Sequence, residues 1–422
     1  MAMIPPIKTP TDPVREIFTA LERTGITYCV LRDGDCAEEL MRGGEIDLLV
    51  RGSEFERFRA QAADLGLVSF PLSGRSPHRF FVTYLEDGSS WLKLDVVTRI
   101  VFGHPLPTMA TRLGDECLVS RQKQGNVFVP APEMEFVSLL LHCVLDKKRF
   151  DPRHRDRLRV LAGTLGASPR LRELLAAYGP RSEDPSRLLD AVVAGDWEAI
   201  LSQREEFAAR LGSCFSNSIA RLRARLLRRV DVLRGLFRRR APCVAILAPD
   251  GAGKSTLVEG LKDHFPLAVE SIYMGLYSKN RRRIGSLPGL GLLLNLWFFH
   301  SRWLKAHLSM MKGRLVLFDR YCYDLLLPPA RKGGFLSAWR RRILGSCCPR
   351  PDVLVILDAP GEVLFARKKE HSPELLERQR QGYLSIADRV PGAVVVDATH
   401  SAQAVRCQVE RTIWLALRSM PR

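Results

Sequence analysis

Apolar residues in the C-terminal part of the chain come in short continuous runs separated by helical stretches. From Pro242 onward the pattern predicts a strand at 243–247 ("CVAIL"), a helix from Lys254, and strands at 314–318 ("RLVLF") and 352–357 ("DVLVIL"). Helices at 361–370 and 373–389 and a strand at 393–396 ("AVVV") follow. Such strands, apolar on both sides and alternating with helices, predict an α/β domain whose parallel sheet is covered on both faces. The first hundred residues read differently. There "DPVREIFTALERTG" predicts a helix ending at Gly25, "ITYCVLR" and "EIDLLV" two strands, "SEFERFRAQAADLG" a helix and "WLKLDVV" a further strand, an α/β or α+β unit.

From Pro130 to about Ala177 apolar positions recur at three- and four-residue spacing, as in "APEMEFVSLLLHCVLDKKR", which predicts helices. Residues 221–240, "RLRARLLRRVDVLRGLFRRR", predict a basic helix on which Leu222, Leu226, Leu233 and Phe237 share a face. Such a helix suits either an interdomain contact or the surface of an anionic membrane. These patterns divide the chain into 1–129, 130–240 and 241–422, with no internal repeat.

Composition narrows the partners. The 422 residues hold 64 Lys and Arg against 46 Asp and Glu, a formal charge of +18, which favours anionic ligands such as nucleotides, phosphorylated sugars or an acidic membrane. A nucleic-acid partner is not expected. Ten cysteines occur without a C-x-x-C pair or zinc-like His/Cys spacing, the only adjacent pair being Cys347 and Cys348, so reduced thiols and a cytoplasmic location are expected. The opening "MAMIPPIKTP" has no secretory pattern, and the most apolar run, Leu287 to Phe299, is too short to span a bilayer.

The chemistry concentrates at "APDGAGKST", Ala248 to Thr256, between the predicted strand and helix. The phosphate-loop pattern is Gly, four residues, then Gly-Lys-Ser/Thr. Gly253, Lys254 and Ser255 fit it, Thr256 follows, and Ala248 stands at the leading glycine position. Small residues Gly251, Ala252 and Gly253 let backbone N–H groups face phosphate oxygens, Lys254 can reach the outer phosphates and Ser255 can ligate Mg2+. In "LFDRYCYD" a strand ends at Asp319, suited to the magnesium shell or to polarising an acceptor, and Arg320 can grip an acceptor phosphate bidentately. Further on, "ARKKEHSPELLERQRQGY" puts Arg367, Lys368 and Lys369 on a stretch that could close over a transferring phosphoryl group, followed by Glu377, Arg378, Gln379 and Tyr383.

These motifs together, "PDGAGKST", "DRY" at 319–321, "ARKKE", "ERQRQGY" and "VVVDA", make residues 242–422 resemble the thymidylate kinase family. The resemblance implies a P-loop fold using ATP and Mg2+, with Asp250 facing the acceptor sugar or magnesium. It also implies Arg320 on the acceptor phosphate and Arg367 with Lys368 acting in the transition state. After its Asp-Arg-Tyr the family carries a serine and an Ala-Tyr-Gln segment that helps bind the thymidine base, where this chain has "CYDLLLPPARKGG". The cationic runs Lys279–Arg283, Arg331–Lys332 and Arg340–Arg342 suit a more anionic or larger acceptor, or a solvated surface. The whole chain is similar to two-domain thymidylate-kinase-like proteins, some associated with bacterial surface-polysaccharide pathways.

The N-terminal "VLRDGD", "GGEIDLLV" and "WLKLDVV" resemble the nucleotidyltransferase superfamily. Residues two apart on a strand share a face, so Glu45 and Asp47, with Asp95 from a later strand, could hold magnesium. Glu45 stands where that superfamily has aspartate, and no serine follows the loop glycine of "RDGDC". The expected activity is ATP- and Mg2+-dependent phosphoryl transfer to a phosphorylated acceptor, with dTMP, another nucleotide, and a sugar or glycan intermediate all open. A protein that binds ATP to gate an interaction without turnover is the reading from another class. The sequence leaves the oligomeric state open.

Overall fold

The computed structural model describes residues 13–31, 44–70, 78–85, 90–103, 109–212, 241–276, 290–327 and 334–420. The predicted basic helix 221–240, the "RDGDC" loop and the cationic runs at 279–283 and 331–332 lie outside them. Two compact units divide the chain, Met1–Leu233 and Arg234–Arg422.

In the first unit the helices α1 (Pro13–Arg23) and α2 (Phe55–Asp64) accompany strands β1 (Tyr28–Val30), β2 (Gly44–Val50), β3 (Val68–Phe70), β4 (Arg79–Leu85) and β5 (Ser90–Val97). The sheet order is β1-β2-β5-β4-β3, with β2 and β5 parallel and the other neighbours antiparallel. One face packs on Val14, Phe18 and Leu21 of α1 and Phe55 and Phe58 of α2. Side chains of the opposite parity, Cys29, Leu49 and Val97, join a second core built from the helices that follow. A hairpin-like pair, β6 (Val101–Phe102) and β7 (Met109–Ala110), then helix α3 (Leu113–Ser120) and the pair β8 (Gln122–Gln124) and β9 (Val127–Val129), lead to those helices.

The helical prediction for 130–177 corresponds to α4 (Pro132–Leu141), a π-helical turn His142–Lys147, α5 (Pro152–Leu165) and α6 (Pro169–Tyr178). The helices continue as α7 (Pro185–Ala194), α8 (Trp197–Ser202) and α9 (Arg204–Gly212). Proline at the first turn starts α4 to α7, and the side chains of Ser168 and Asp184 cap α6 and α7.

The second unit alternates β10 (Cys243–Leu247), α10 (Lys254–His264), β11 (Val269–Tyr273), α11 (Leu290–Met311), β12 (Leu315–Asp319) and α12 (Phe335–Gly345). It closes with β13 (Val353–Asp358), α13 (Gly361–Arg367), α14 (Pro373–Arg389), β14 (Ala393–Asp397) and α15 (Ala402–Ser419). All its strands are parallel, in the order β11-β12-β10-β13-β14. Central β10 is buried at every position, the consequence of an apolar run flanked by sheet on both edges and helices on both faces. From β10 the chain goes to β11 and β12 on one side and then to β13 and β14 on the other. The carboxyl end of β10 therefore lies where the strand order reverses, where open α/β sheets bind ligands.

The helix expected over 361–370 stops at Arg367. Lys368 is extended at φ −147°, and a new helix begins at Pro373 behind a Ser372 cap. A residue before proline is pushed out of the helical region, so the two helices are set by the Ser-Pro step. The strand expected at 314–318 is shifted by one residue, because Asp319 pairs with Ile246 and Tyr273 in the ladder. Among the described residues no helix is long and apolar enough to cross a membrane. The described cysteines are free thiols.

Candidate active site

The segment between β10 and α10 is a tight cradle. Gly251 and Gly253 both adopt φ near +89°, which L side chains avoid, and a Cβ on Gly251 would stand 2.7 Å from the Leu364 carbonyl oxygen of α13. Gly251 is thus required twice, by its dihedral angle and by the helix laid against it. Gly253 caps α10, whose first turn carries Lys254, Ser255 and Thr256; Ser255 and Thr256 are exposed, and Ala252 is buried beneath the loop. Free N–H groups at that helix start and its positive end favour an anion there.

Lys254 is 11% exposed, and its ammonium donates to the carbonyls of Ala248 at 2.7 Å and Pro249 at 2.9 Å, with the Asp250 carboxylate at 3.8 Å. Burial, and after it the Arg320 guanidinium, lower its pKa below the ordinary lysine value. A partly desolvated ammonium next to a second cation is strongly biased toward anionic ligands.

Arg320, directly after β12, has φ 65°, a left-handed conformation unusual for a residue with a side chain. That turn sends its guanidinium across the sheet end, with Nη2 3.0 Å from Asp250 Oδ1 and Nη1 3.4 Å from Asp324 Oδ2. A Cβ on Gly275 would run into the Tyr273 ring first and would then lie 3.0 Å from Arg320 Cδ, so glycine after β11 leaves room for both side chains. Asp324 sits on the 3-10 turn Cys322–Leu326 and accepts a hydrogen bond from Tyr383 of α14 at 3.1 Å. Its burial raises its pKa above the ordinary carboxylate range, against the opposing pull of Arg320 and Tyr383. His371 lies 3.9 Å from Asp250.

Of the residues read from the sequence, the fold brings Asp250, Lys254 and Arg320 into one charged network, with Asp319 ending the adjacent strand. Arg367 and Lys368 are held elsewhere. Arg367 donates to the Ala398 carbonyl at 2.8 Å, and Lys368 pairs with Glu370 at 3.0 Å. Asp324, His371 and the role of Tyr383 are additions that the sequence reading did not single out. The one signal for Asp324 was a second acid five residues after Asp319 in "DRYCYD". Nearby, Arg380 forks onto Asp358 at 2.6 and 3.0 Å, tying α14 to the end of β13.

In the first unit, the parallel register sets Asp47 opposite Asp95 and Glu45 opposite Lys93. Glu45, Asp47 and Asp95 each offer an oxygen within 4.8 Å of the others, among the described residues the only such group. Asp95 is buried and hydrogen-bonded to His78 Nδ1 at 2.8 Å, while Lys93 Nζ meets Glu45 at 2.8 Å. An all-carboxylate set suits a hard divalent cation such as Mg2+.

No family model matches the chain. Two curated proteins are similar to it. Probable thymidylate kinase 1 of Saccharolobus solfataricus is 28% identical over 188 residues, 40% of this chain and 95% of that protein. The thymidylate kinase of Symbiobacterium thermophilum is 30% identical over 118 residues, 25% of this chain and 54% of that protein. This distant similarity, covering part of the chain, points to nucleotide-kinase-like phosphoryl transfer, and the parallel sheet of the second unit is compatible with a P-loop kinase fold.

Proposed function

We propose that the second unit is an ATP- and Mg2+-dependent kinase that transfers the γ-phosphoryl group to a phosphorylated acceptor, in the manner of a nucleoside monophosphate kinase. The observation that supports this reading is the Arg320–Asp250 contact of 3.0 Å, which leaves a guanidinium, a group able to grip a phosphate bidentately, beside Asp250 of the phosphate loop. An acceptor phosphate held by Arg320 and a nucleotide phosphate held at Lys254 would then meet at one place, the positioning on which phosphoryl transfer depends. Backbone N–H groups of Gly251 to Thr256 and the Lys254 ammonium would neutralise the nucleotide's phosphates. Ser255 and Asp319 would hold Mg2+, which when bound offsets charge on the phosphate oxygens. Arg367 and Lys368 would leave Ala398 and Glu370 to close over the reacting group, a lid motion of the usual kind.

The test is ADP release by the full chain with ATP and Mg2+ across dTMP, dUMP, UMP, CMP and a no-acceptor control, with Lys254→Ala in parallel. Acceptor-dependent release that falls at least a hundredfold in Lys254→Ala is expected; release unaffected by that substitution refutes the assignment. Silence with all four nucleotides, ATP binding intact, moves the acceptor to phosphorylated sugars or glycan intermediates.

For the first unit the Glu45, Asp47 and Asp95 cluster supports a divalent-metal site of the nucleotidyltransferase kind. Mn2+ binding followed by electron paramagnetic resonance should weaken about tenfold or more in Asp47→Asn. Equal binding by the variant removes this site.

A further inference from the structure

Three cysteines that the phosphotransfer chemistry does not use come together beside the turn that carries Asp324. Cys322 opens that 3-10 turn and is fully buried. Cys347 and Cys348 follow α12, the first half-buried and the second 8% exposed, with their sulfurs 3.9 Å apart. The Cys322 thiol hydrogen-bonds to both. The turn and the end of α12 are also packed on each other. A Cβ on Gly345 would stand 2.5 Å from Leu326 Cδ2 and 3.7 Å from the Cys322 carbonyl oxygen. The Tyr321 hydroxyl donates to the Pro349 carbonyl, and Arg341 of α12 donates to that of Leu327.

Contact with Cys322, and after it Cys348, holds the Cys347 thiol well below the ordinary thiol value. The same contact raises Cys322, which keeps its proton. A half-buried thiolate with a protonated thiol beside it is the arrangement in which one cysteine is oxidised and the other resolves it.

We propose that Cys322 and Cys347 form a reversible disulfide on exposure to a peroxide, and that this bridge shifts the turn carrying Asp324. The Cys347 sulfur attacks the peroxide, an S–O bond forms and the O–O bond breaks, and the departing hydroxide takes up the proton that Cys347 had shed. The sulfenic acid so formed is attacked by the Cys322 sulfur. The S–S bond forms, the S–O bond breaks, and a second water leaves with the Cys322 proton. Two thiols lose two electrons, and one peroxide is reduced to two waters. Cys348 is the poorer partner for Cys347, because consecutive Cα atoms stand about 3.8 Å apart and disulfides usually begin at about 4.4 Å.

A disulfide holds its sulfurs about 2.05 Å apart, so closing it draws the turn toward the end of α12. Asp324 rides on that turn and meets Arg320 at 3.4 Å and Tyr383 at 3.1 Å, and the bridge pulls on both contacts. The phosphate loop lies outside the turn, so ATP binding persists. The bridge itself is independent of the phosphotransfer reading; a weakened grip on the acceptor through Arg320 rests on that reading.

Full-length protein purified with reductant is treated with hydrogen peroxide, blocked with N-ethylmaleimide and digested without reduction. Peptide mass spectrometry is expected to find the Cys322 and Cys347 peptides joined, with the link lost in Cys322→Ser and kept in Cys348→Ser. Cys347→Ser, at a half-buried position, tests the same bridge should the buried substitution prevent folding. Hydrogen exchange of a peptide spanning 321–327 should change by about tenfold or more on oxidation and return with dithiothreitol. Where an acceptor is turned over, its KM should rise about tenfold or more in oxidised wild type and stay unchanged in treated Cys322→Ser. Sulfinic acid on Cys347 with Cys322 still a thiol, a bridge confined to Cys347 and Cys348, or one that joins two chains overturns the proposal. So does a Cys322–Cys347 bridge that leaves exchange at the turn unaltered. The bridge and the exchange response together, without turnover of any acceptor, support the switch and count against the phosphotransfer reading alone.

Discussion

Replacing Tyr383 by phenylalanine removes one hydroxyl from the middle of the candidate site and little else. The hydroxyl donates to Asp324 at 3.1 Å, inside a network where the carboxylate is 9% exposed and also meets Arg320 at 3.4 Å. A hydrogen bond to a charged group is worth about 1.5–3 kcal/mol, and a buried carboxylate that loses a donor keeps its desolvation cost. At 1.36 kcal/mol per decade, that is a roughly 13- to 160-fold rise in the opening equilibrium of this region. Because the chain has two compact units, the readout must be local. Hydrogen exchange with mass spectrometry, on peptides covering β12 and α14, should show a loss of protection of that size in the second unit and none in the first. The double variant with Asp324→Asn should be less than additive, since both changes act on one contact. Protection altered less than about twofold, or strict additivity, would refute the idea that Tyr383 holds Asp324 and, through it, Arg320.

Gly251→Ala and Gly253→Ala share φ +89°, but only at Gly251 would the new methyl meet a neighbouring carbonyl at 2.7 Å. Thermal melting should put Gly253→Ala at about 1–2 kcal/mol of destabilisation and Gly251→Ala clearly beyond it, with ATP no longer raising the melting temperature of the latter; equal effects would contradict the packing of α13 on the loop. Lys254 loses its proton more easily in the fold than in the unfolded chain, because burial, and then Arg320, penalise its charge. Between the lowered folded value and the ordinary value the unfolded chain binds more protons, so this lysine's contribution to stability rises with pH across that interval. Urea midpoints measured from neutral pH upward should therefore bring wild type closer to, or further above, Lys254→Met as pH increases through that interval; a gap that moves the other way contradicts the desolvation. Arg320→Lys keeps the charge and loses the fork that spans Asp250 and Asp324. An acceptor KM raised about tenfold or more with ATP affinity retained is expected from steady-state kinetics, and an unchanged KM would remove Arg320 from acceptor binding.

The elements that the sequence determined are those whose constraints are local. "CVAIL" followed by "APDGAGKST" specifies a buried strand, a glycine turn and a helix start within fourteen residues, and each is where the pattern puts it. Ser372 and Pro373 determine the start of α14 in the same way, although the helix before it ends three residues short of what the pattern predicts. Strand β11, "VESIY", went unread because an edge strand half open to solvent needs no continuous apolar run. Strand β4, "RFFVTYL", in the first unit is a further element that the pattern does not predict, although four of its seven residues are buried. Only the tertiary structure could join Arg320 to Asp250, 70 residues earlier, and Tyr383 to Asp324, 59 residues earlier. Those pairings follow from the strand order β11-β12-β10-β13-β14, which makes β10 and β12 neighbours. They follow also from the left-handed turn at Arg320, which aims its side chain across the sheet end. Spacing along a chain carries the geometry of one turn or one strand, whereas a charged network between elements depends on which of them pack together, and burial decides that across the whole domain.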